Sequence, residues 1–326
     1  MRLAILGGGK GGVPHIKAAL GIEEIDLAGV AEIDGAKRRE IEGTFGVPAY
    51  ERIDELLDRT KPDAVLVALP HRLHEEATLA ALEAGAHVLV EKPMADTVEA
   101  CERMIRAARR AGRTLMVGQT HHFMRNVKEA KHLVDSGELG DVLMATDAIY
   151  GPYFISDRPA WFFDRRMAGG GSWMANGVHL VDRTCWILGE IPATVYARMR
   201  FHPEIADIET CVTATLSFPS GRAATILMAM MANGPKEEGE ILGTKGSVRY
   251  SAFRGISVMN GREVKKIEPR FPKADPRGEQ LREFMAAIRE GREPAVTGEW
   301  GRDMVRIVLA GYESHRRGRP VALDEV

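Results

Sequence analysis

The sequence has few cysteines and no long apolar run, and each lack narrows the class of protein. Only three cysteines, Cys101, Cys185 and Cys211, occur in 326 residues, far apart and without CxxC spacing. We expect free buried thiols in a reducing compartment, and hence a cytoplasmic protein. No apolar stretch approaches the roughly 20 residues that a membrane-spanning helix needs. The sequence therefore predicts no membrane partner.

Runs of like charge are also lacking. The formal net charge is -2, and the 28% of residues that are charged form no block of one sign. This gives no support for binding to nucleic acid or to a membrane surface. A hydrophobic fraction of 45% is typical of a globular protein. Because 326 residues exceed one ordinary core, two domains are expected.

The first 120 residues alternate short apolar runs with amphipathic stretches. The runs are almost continuously apolar, as expected for a parallel sheet that is covered by helices on both faces. We therefore predict an α/β domain over residues 1–120. Its predicted strands are Arg2–Leu6, Ile25–Ala31, Ala64–Ala68, His87–Val90 and Thr114–Gly118. Its predicted helices are Ile53–Arg59, Leu73–Ala84 and Thr97–Ala111.

The pattern changes after about Gly118, where segments of period 2 appear. They predict a mostly antiparallel sheet in residues 121–326, with one face on helices and a polar, methionine-bearing face available to a second subunit. Pro219-Ser220-Gly221 predicts a hairpin turn. Predicted strands are Asp141–Tyr150, Thr194–His202, Glu209–Phe218 and Arg222–Ala232; predicted helices are Asn126–Ser136, Gly177–Leu188, Gly278–Arg289 and Glu299–His315, with a loop over Gly151–Gly171. The last two helices are expected to pack back on the core.

A glycine-rich turn follows the first predicted strand. Gly7, Gly9 and Gly12 match G-x-G-x-x-G, in which the glycines permit a tight turn, close approach to a pyrophosphate and close helix packing. Glu32 ends the second strand, where a carboxylate can accept the ribose hydroxyls of adenosine and repel a 2′-phosphate. This favours NAD over NADP. The neighbouring Lys37-Arg38-Arg39 leaves NADP as an alternative.

Lys92 stands at the carboxyl end of a later strand of the same sheet, the edge at which open α/β sheets bind ligands. A single lysine is more often a surface residue. Pro93 changes that expectation, because proline fixes the turn and a Lys92–Pro93 bond can be cis, which would aim the amine. A dinucleotide and a titratable amine on one edge point to redox chemistry.

At this point the chain resembles the Gfo/Idh/MocA family of NAD(P)-dependent oxidoreductases over nearly its full length. The matching motifs are Gly7-x-Gly9-x-x-Gly12-x-x-His15, Leu69-Pro70-His71-x-x-His74, Ala84-Gly85-x-His87-Val88-Leu89-Val90-Glu91-Lys92-Pro93, and Gly169-Gly170-Gly171 followed by Gly177-x-His179-x-x-Asp182. The resemblance implies an N-terminal Rossmann domain, a C-terminal α/β domain whose open sheet makes homodimers or homotetramers, and hydride transfer to or from a sugar, polyol or related hydroxy compound.

The resemblance also implies roles for individual residues. Lys92 would orient the substrate hydroxyl and contact the nicotinamide ribose, and His179 would be the acid/base; a histidine suits proton transfer near neutrality, and an ammonium stabilises a developing alkoxide. On its own, His179 would more often be a satisfied core histidine. The cofactor would border Gly7, Gly9, Gly12, His15, Glu32, Leu69, Pro70, His74, Glu91, Lys92 and Gln119.

One position departs from the family. The family usually has an aspartate four residues before the histidine, and this chain has Ala175 there, followed by Asn176. On an ideal helix Asn176 points about 100° away from Ala175, so it replaces the carboxylate only if the start of the helix is irregular. The departure bears on the substrate chemistry and leaves the predicted cofactor site unaffected.

Further candidates lie near the second domain. Adjacent His121 and His122 diverge on a strand and have no Cys, Asp or Glu spacing around them, so no metal site is expected. We expect His122, Arg125, Trp161, Asn176 and His179 to contact the substrate. Trp161 belongs to an aromatic and arginine-rich loop that could line a sugar or carboxylate pocket or be a packed loop with solvated arginines; its other members are Tyr153, Arg158, Phe162, Arg165 and Arg166.

Three functions follow from these residues. The first is an NAD-dependent dehydrogenase or reductase of a carbohydrate-like small molecule. The second uses NAD transiently, as the family's glycosidases do, so that hydrolysis occurs without net NADH. The third is a non-catalytic NAD-binding sensor, which the loss of the aspartate at Ala175 would allow. Retention of Lys92 and His179 argues against the third.

Overall fold

The structure is a computed structural model that describes residues 1–152, 158–202 and 206–326. These residues form two compact units. The first consists of Met1–Gln119 and Asp275–Arg302, and the second of Thr120–Ala274 and Asp303–Val326. The chain therefore returns to the first unit after building most of the second. Tyr153 lies outside the described residues, so the prediction for that side chain stays open.

A parallel sheet of six strands forms the centre of the first unit, in the order β3-β2-β1-β4-β5-β6. Its strands are β1 (Arg2–Leu6), β2 (Asp26–Ala31), β3 (Ala49–Tyr50), β4 (Ala64–Val67), β5 (His87–Glu91) and β6 (Leu115–Gly118). All the described pairs in it are parallel. The side chains of β4 are all buried, as are four of the five in β1. The predicted doubly wound Rossmann sheet is confirmed.

Five helices of the first unit lie between these strands: α1 (Gly12–Leu20), α2 (Gly35–Phe45), α3 (Ile53–Thr60), α4 (His74–Glu83) and α5 (Val98–Ala111). Asp34 caps α2 with bonds from the amides of Ala36 and Lys37, and Thr97 caps α5. The sequence did not predict α2. Only Ile41 of that helix is buried, so it has almost no apolar stripe to reveal it.

A nine-stranded mixed sheet dominates the second unit, in the order β14-β13-β12-β11-β7-β10-β9-β8-β15. The strands are β7 (Val142–Pro152), β8 (Thr194–His202), β9 (Ala206–Ser217), β10 (Ala223–Ala229), β11 (Met231–Gly243), β12 (Ser247–Ser251), β13 (Gly255–Asn260), β14 (Glu263–Ile267) and β15 (Val321–Ala322). Among the described pairs of this second sheet, only β7 and β10 run parallel. The predicted large, mostly antiparallel sheet is confirmed.

The predicted alternation and hairpin are present in this sheet. Val212, Ala214, Leu216 and Phe218 are buried, whereas Thr213 and Ser217 between them are exposed. The amide of Gly221 donates to Phe218 O and closes the turn between β9 and β10. The single strand predicted over Arg222–Ala232 was wrong, because β10 ends at Ala229 and β11 begins at Met231. Strands β12, β13 and β14 were not predicted from the sequence.

Three helices of the second unit are α6 (Arg125–Asp135), α7 (Arg165–Ala168) and α8 (Val178–Leu188). The segment predicted as a loop contains a 3-10 turn at Ala160–Phe163 as well as α7, so the loop prediction was only partly right. The helix predicted to begin at Gly177 is preceded by a π-helical turn over Trp173–Gly177. Two late helices are α9 (Pro276–Glu290) in the first unit and α10 (Gly298–Arg317), whose residues belong to both units.

The cysteines are free thiols. Cys101 and Cys185 are buried, and burial raises the pKa of Cys101 to about 12 and that of Cys185 well above its ordinary value. Both therefore stay protonated and unreactive. Cys211 is partly exposed, which corrects the expectation of three buried thiols. Over the described residues, no helix combines the length and the apolar character needed to cross a membrane.

Candidate functional site

The glycine-rich turn after β1 has the geometry that its spacing predicts. Gly7 has φ +102°, and a Cβ there would lie 2.3 Å from Ala68 O. A Cβ on Gly12 would lie 1.8 Å from Gly7 O. A Cβ on Gly9 would meet no described atom within 4 Å, so this glycine borders open space. The first and third glycines thus serve packing, and the second leaves the room that a dinucleotide phosphate requires.

The start of α1 and the end of β2 meet this turn. Among the described residues no side chain caps α1, and its first two amides donate to Gly9 O, each at 3.0 Å. Glu32 is 9% exposed, and its two oxygens accept from the amides of Gly8 and Asp34, each at 3.0 Å. A carboxylate has further lone pairs, so it can also accept from ribose hydroxyls. Arg38 donates to Glu32 O and to the carboxylate of Glu51.

A hydrogen-bonded pair of side chains, His15 and Glu91, lies at the end of β5. His15 Nε2 lies 2.7 Å from Glu91 Oε1, and Glu91 Oε2 accepts from the amide of Lys92 at 3.1 Å. Burial alone would raise the pKa of Glu91. The bond from His15 and the charges of His15, Lys92 and Arg277 outweigh it and lower that pKa to about 2. The peptide bond between Lys92 and Pro93 is cis, as considered from the sequence.

His74 joins two turns at the same edge of the parallel sheet. Its Nδ1 lies 2.9 Å from Pro93 O and its Nε2 lies 2.8 Å from Leu69 O, and the ring is completely buried. Burial lowers the pKa of His74, although the two carbonyl oxygens favour the protonated ring. His74 therefore holds the turns that follow β4 and β5 in fixed positions. Leu69 and Pro70, in the first of these turns, are partly exposed.

Gln119 gives an independent sign that a ligand belongs at this edge. It follows β6, is 1% exposed, and its Oε1 has no hydrogen-bond partner among the described residues. Buried amide oxygens are normally satisfied, so an unmatched one needs an explanation. The open space at Gly9 and the carboxylate of Glu32 also suit a dinucleotide. The residues present therefore fit NAD, which would lie along the glycine turn, Glu32 and the ends of β4 to β6.

In the second unit, the glycine triplet before His179 is required by close packing. A Cβ on Gly170 would lie 2.3 Å from Tyr312 Oη, and one on Gly171 would lie 2.5 Å from Ile208 Cβ. Tyr312 Oη accepts from the amide of Gly171 and donates to Glu209 Oε1 at 2.9 Å. The amide of Trp173 donates to the same carboxylate oxygen. The sequence reasoning missed this support, because Glu209 and Tyr312 stand in no motif.

Burial raises the pKa of Glu209 above its ordinary value, even though Trp173 and Tyr312 donate to it. Burial also raises the pKa of Tyr312, which remains a phenol. The carboxyl group thus lies under the π-helical turn and fixes its first residue. Gly177 is needed as well, because a Cβ there would lie 2.3 Å from Trp173 Cε3. Turns of this kind occur frequently at functional sites.

The irregular start of the helix decides which side chains are accessible. Ala175 is 1% exposed, whereas Asn176 and His179 are partly exposed on a segment that is otherwise buried from Gly170 to Cys185. Residues three apart share one face of a helix. Asn176 and His179 are three residues apart and are the two partly exposed side chains of this segment. An aspartate at Ala175 would be buried within the packing.

Two adjacent histidines take different places beside α8. The ring of His121 stacks on that of His179, with centroids 4.3 Å apart and planes at 14°. His122 Nε2 lies 2.9 Å from Asp182 Oδ1, and the His122 ring stacks on Trp186. His122 is 4% exposed, so its position is that of a buried polar pair. His121 was considered only as a metal ligand in the sequence, and its contact with His179 was missed.

The other predicted substrate residues are engaged in protein contacts. Arg125 pairs with Glu268 at 2.5 Å and donates to Pro269 O at 3.0 Å. Trp161 stacks on Phe162, with ring centroids 3.9 Å apart, and Arg158 lies over the Phe162 ring. These contacts lie within the loop, and none of the residues 158–167 is buried, so both interpretations of the loop stay predictions. Over the described residues, no three His, Cys, Asp or Glu side chains converge as a metal site would require.

Two family profiles match this chain. Residues 1–119 match the oxidoreductase family with an NAD-binding Rossmann fold, and residues 127–249 match the Gfo/Idh/MocA C-terminal domain. Together with the fold and the glycine turn, these matches define an NAD-binding oxidoreductase. The chain belongs to the Gfo/Idh/MocA family. The resemblance stated from the motifs, the class of enzyme and NAD as the cofactor are confirmed.

Two relatives match over the full length, and a third matches over part of it. The chain is 28% identical to the myo-inositol 2-dehydrogenase of Thermotoga maritima, covering 100% of this chain and 99% of the relative. The solved aldose-aldose oxidoreductase of Caulobacter crescentus, complexed with glycerol, has 31% identity, a TM-score of 0.91 and 99% coverage of both chains. The 2,7-anhydro-N-acetylneuraminate hydratase of Escherichia coli is 32% identical over 60% of this chain and 54% of its own length.

Proposed function

We propose that the protein transfers a hydride between NAD and a secondary alcohol or ketone of a sugar, polyol or related hydroxy compound. The observation that carries this proposal is the full-length match to a protein named for myo-inositol and to a structure named for aldoses. It is supported by the cofactor edge of the first unit and by the accessible His179 of the second. NAD, when bound, supplies the hydride acceptor of the oxidation.

In this proposal each side chain has a definite task. The ammonium group of Lys92 donates to the substrate oxygen and stabilises the negative charge that develops there as the proton leaves. The imidazole of His179 takes that proton in the oxidation and returns it in the reduction. Asn176, on the same accessible face of the helix, binds a neighbouring hydroxyl. Glu91 and His15 hold the backbone that carries Lys92.

The test uses the whole protein, NAD and a panel of polyols and sugars, with absorbance at 340 nm as the readout. Turnover of the wild type with at least one of them is expected. Lys92→Ala and His179→Ala should each reduce kcat/KM by about 10²–10⁴-fold while NAD still binds. Arg110→Ala, on the surface of α5, is the control. Normal turnover in the Lys92 or His179 variant would remove that residue from the mechanism.

A second candidate keeps the cofactor bound and recycles it. The relative named as an aldose-aldose oxidoreductase implies exchange between two sugars, and the one named as a hydratase implies no net redox change. In either case NADH would not accumulate. Product analysis by mass spectrometry, with sugar mixtures and aryl glycosides, separates these cases. If the protein binds NAD tightly and forms no product from any substrate, only the third hypothesis, a non-catalytic NAD-binding sensor, would remain.

We also propose that the chain forms a homodimer or homotetramer through the face of the large sheet that lies away from α8. Thr146, Thr225, Thr215 and Tyr196 align across four neighbouring strands of this face. The short side chains of the three threonines keep its centre flat, and Met144 beside them is 43% exposed. Thr215→Arg should convert the oligomer to a single chain in light scattering. A wild type with the mass of one chain would contradict this proposal.

A further inference from the structure

An exposed aromatic ring lies beside the histidine pair of the second unit. Phe253, in the turn between β12 and β13, is 68% exposed. Its ring meets that of His121 edge-on, with centroids 6.1 Å apart and planes at 83°. His121 in turn stacks on His179, with centroids 4.3 Å apart. One imidazole thus connects an exposed apolar surface to the proposed acid/base.

The turn that carries Phe253 is held by many hydrogen bonds. Ser251 Oγ donates to Glu237 Oε2 at 2.5 Å and accepts from the amides of Phe253 and Arg254 at 3.2 and 3.1 Å. The amide of Ala252 also donates to Glu237 Oε2, at 3.0 Å. The backbone of the turn is therefore fixed, and the exposure of Phe253 is a defined feature of the fold.

The same network ties this turn to the helix of His179. Arg183 is completely buried on α8, one helical turn after His179, and its guanidinium pairs with both Glu237 and Asp147. Asn126, at the start of α6, donates from Nδ2 to Ser251 O at 2.8 Å. The turn and α8 thus share Glu237 as a common anchor. This arrangement holds the backbone of the Phe253 turn in place relative to α8, and the edge-on contact with His121 orients the ring.

We propose that Phe253 is a platform for the apolar C–H face of a cyclic substrate, a pyranose or a cyclitol, whose hydroxyl is presented to His179. This inference rests on the proposed function and names the substrate class of that site. A ring-shaped polyol has one face of C–H groups that can be buried against an aromatic ring, whereas its hydroxyls stay on the edge. An open-chain polyol presents no such continuous face.

The experiment compares Phe253→Ala, Phe253→Trp and the control Val264→Ala, which shortens another exposed apolar side chain. The substrates are myo-inositol and methyl glucopyranoside as rings, and sorbitol as the open chain, each with saturating NAD. Phe253→Ala should lower kcat/KM for the two ring-shaped substrates about tenfold, mainly by raising KM. The same variant should lower kcat/KM for sorbitol much less. Phe253→Trp should keep kcat/KM for the ring substrates close to the wild-type value, and Val264→Ala should leave kcat/KM unchanged for all three substrates.

Binding and mass are measured alongside turnover. Calorimetry with the NADH-loaded protein should show the same loss of affinity for the ring ligands in Phe253→Ala, and this supports the platform even if no turnover is found. Equal affinities in both proteins, including no binding to either, overturn it. So does an equal loss for rings and sorbitol, or a change in oligomeric mass that accompanies the loss, which would make Phe253 a subunit contact.

Discussion

Asp182 Oδ1 lies 2.9 Å from His122 Nε2, and both side chains are almost completely buried. This pair joins α8 to the turn at the start of the second unit. The sequence placed Asp182 in the motif of His179, three residues further along the helix. In the structure its bond reaches back 60 positions along the chain. Asp182, which belongs to the sequence motif of His179, thus stabilises the contact between α8 and the turn that carries His122.

We expect Asp182→Asn to act mainly on stability. Removing one partner of a buried pair costs about 3 kcal/mol, or roughly 6–12 °C in Tm for a unit of this size. His122→Asn should cost a similar amount, and the double variant should cost less than the sum because the pair is already broken. Thermal unfolding of the four proteins measures this. Additive losses would show that the two side chains are not coupled.

The three glycines of the first turn should respond differently to alanine. Gly12→Ala places a Cβ 1.8 Å from Gly7 O and should destabilise the protein by about 3 kcal/mol or more. Gly9→Ala meets no described atom within 4 Å, so its Tm without cofactor should stay close to that of the wild type. Its affinity for NAD should fall about tenfold or more. Calorimetry with NAD checks this, and unchanged affinity would contradict the cofactor position.

The pKa of Glu91 predicts an acid dependence of stability. A carboxyl whose folded pKa is about 2 and whose ordinary value is 4.5 stabilises the fold at neutral pH, by up to about 3 kcal/mol. This contribution is complete above the ordinary value and is lost as the pH falls from about 4.5 towards 2. The difference in Tm between the wild type and Glu91→Gln should therefore shrink below pH 4.5.

The control for this prediction is Glu263→Gln, because Glu263 is exposed on β14. The difference in Tm between Glu263→Gln and the wild type should stay constant over the same range of pH. If the difference in Tm between Glu91→Gln and the wild type grows on acidification, the predicted direction of the pH dependence is wrong.

Glu32 should set the preference between the two dinucleotides. Glu32→Gln keeps an oxygen for the amide of Gly8 but removes the charge that repels a 2′-phosphate. The affinity for NAD should fall, and the ratio of the NAD and NADP affinities should narrow by about 10–100-fold. Glu40→Gln, an exposed residue of α2, is the matched control. An unchanged ratio would mean that Glu32 does not bind the ribose.

The first unit was largely predictable, because its signals are local. The buried strands β1, β4 and β5 are short apolar runs, and glycines mark where the helices α4 and α5 end. Strands β13 and β14 were missed for the converse reason. Four of the five residues of β14 are exposed and its sequence carries charge, so no alternation distinguishes it from a loop.

The second unit shows what a sequence pattern does not contain. Tyr312 and Glu209 are hydrogen-bonded although 103 positions separate them in the sequence. The need for Gly170 and Gly171, which leave room for these side chains, is therefore apparent only in the folded structure. The π-helical turn has no compositional sign either. The motif indicated that His179 matters, and long-range packing decides that Asn176, and not residue 175, shares its accessible face.

The ring of His74 has a dynamic consequence. Because its two nitrogens lie within 2.9 Å of Leu69 O and Pro93 O, an opening of the turn after one strand should disturb the turn after the next. Binding of a ligand at the turn after β4 or at the turn after β5 should slow amide hydrogen exchange in both turns. A single imidazole thereby links the turn where the nucleotide would rest to the loop that carries the lysine of the proposed mechanism, so that cofactor binding at the first should help to order the second.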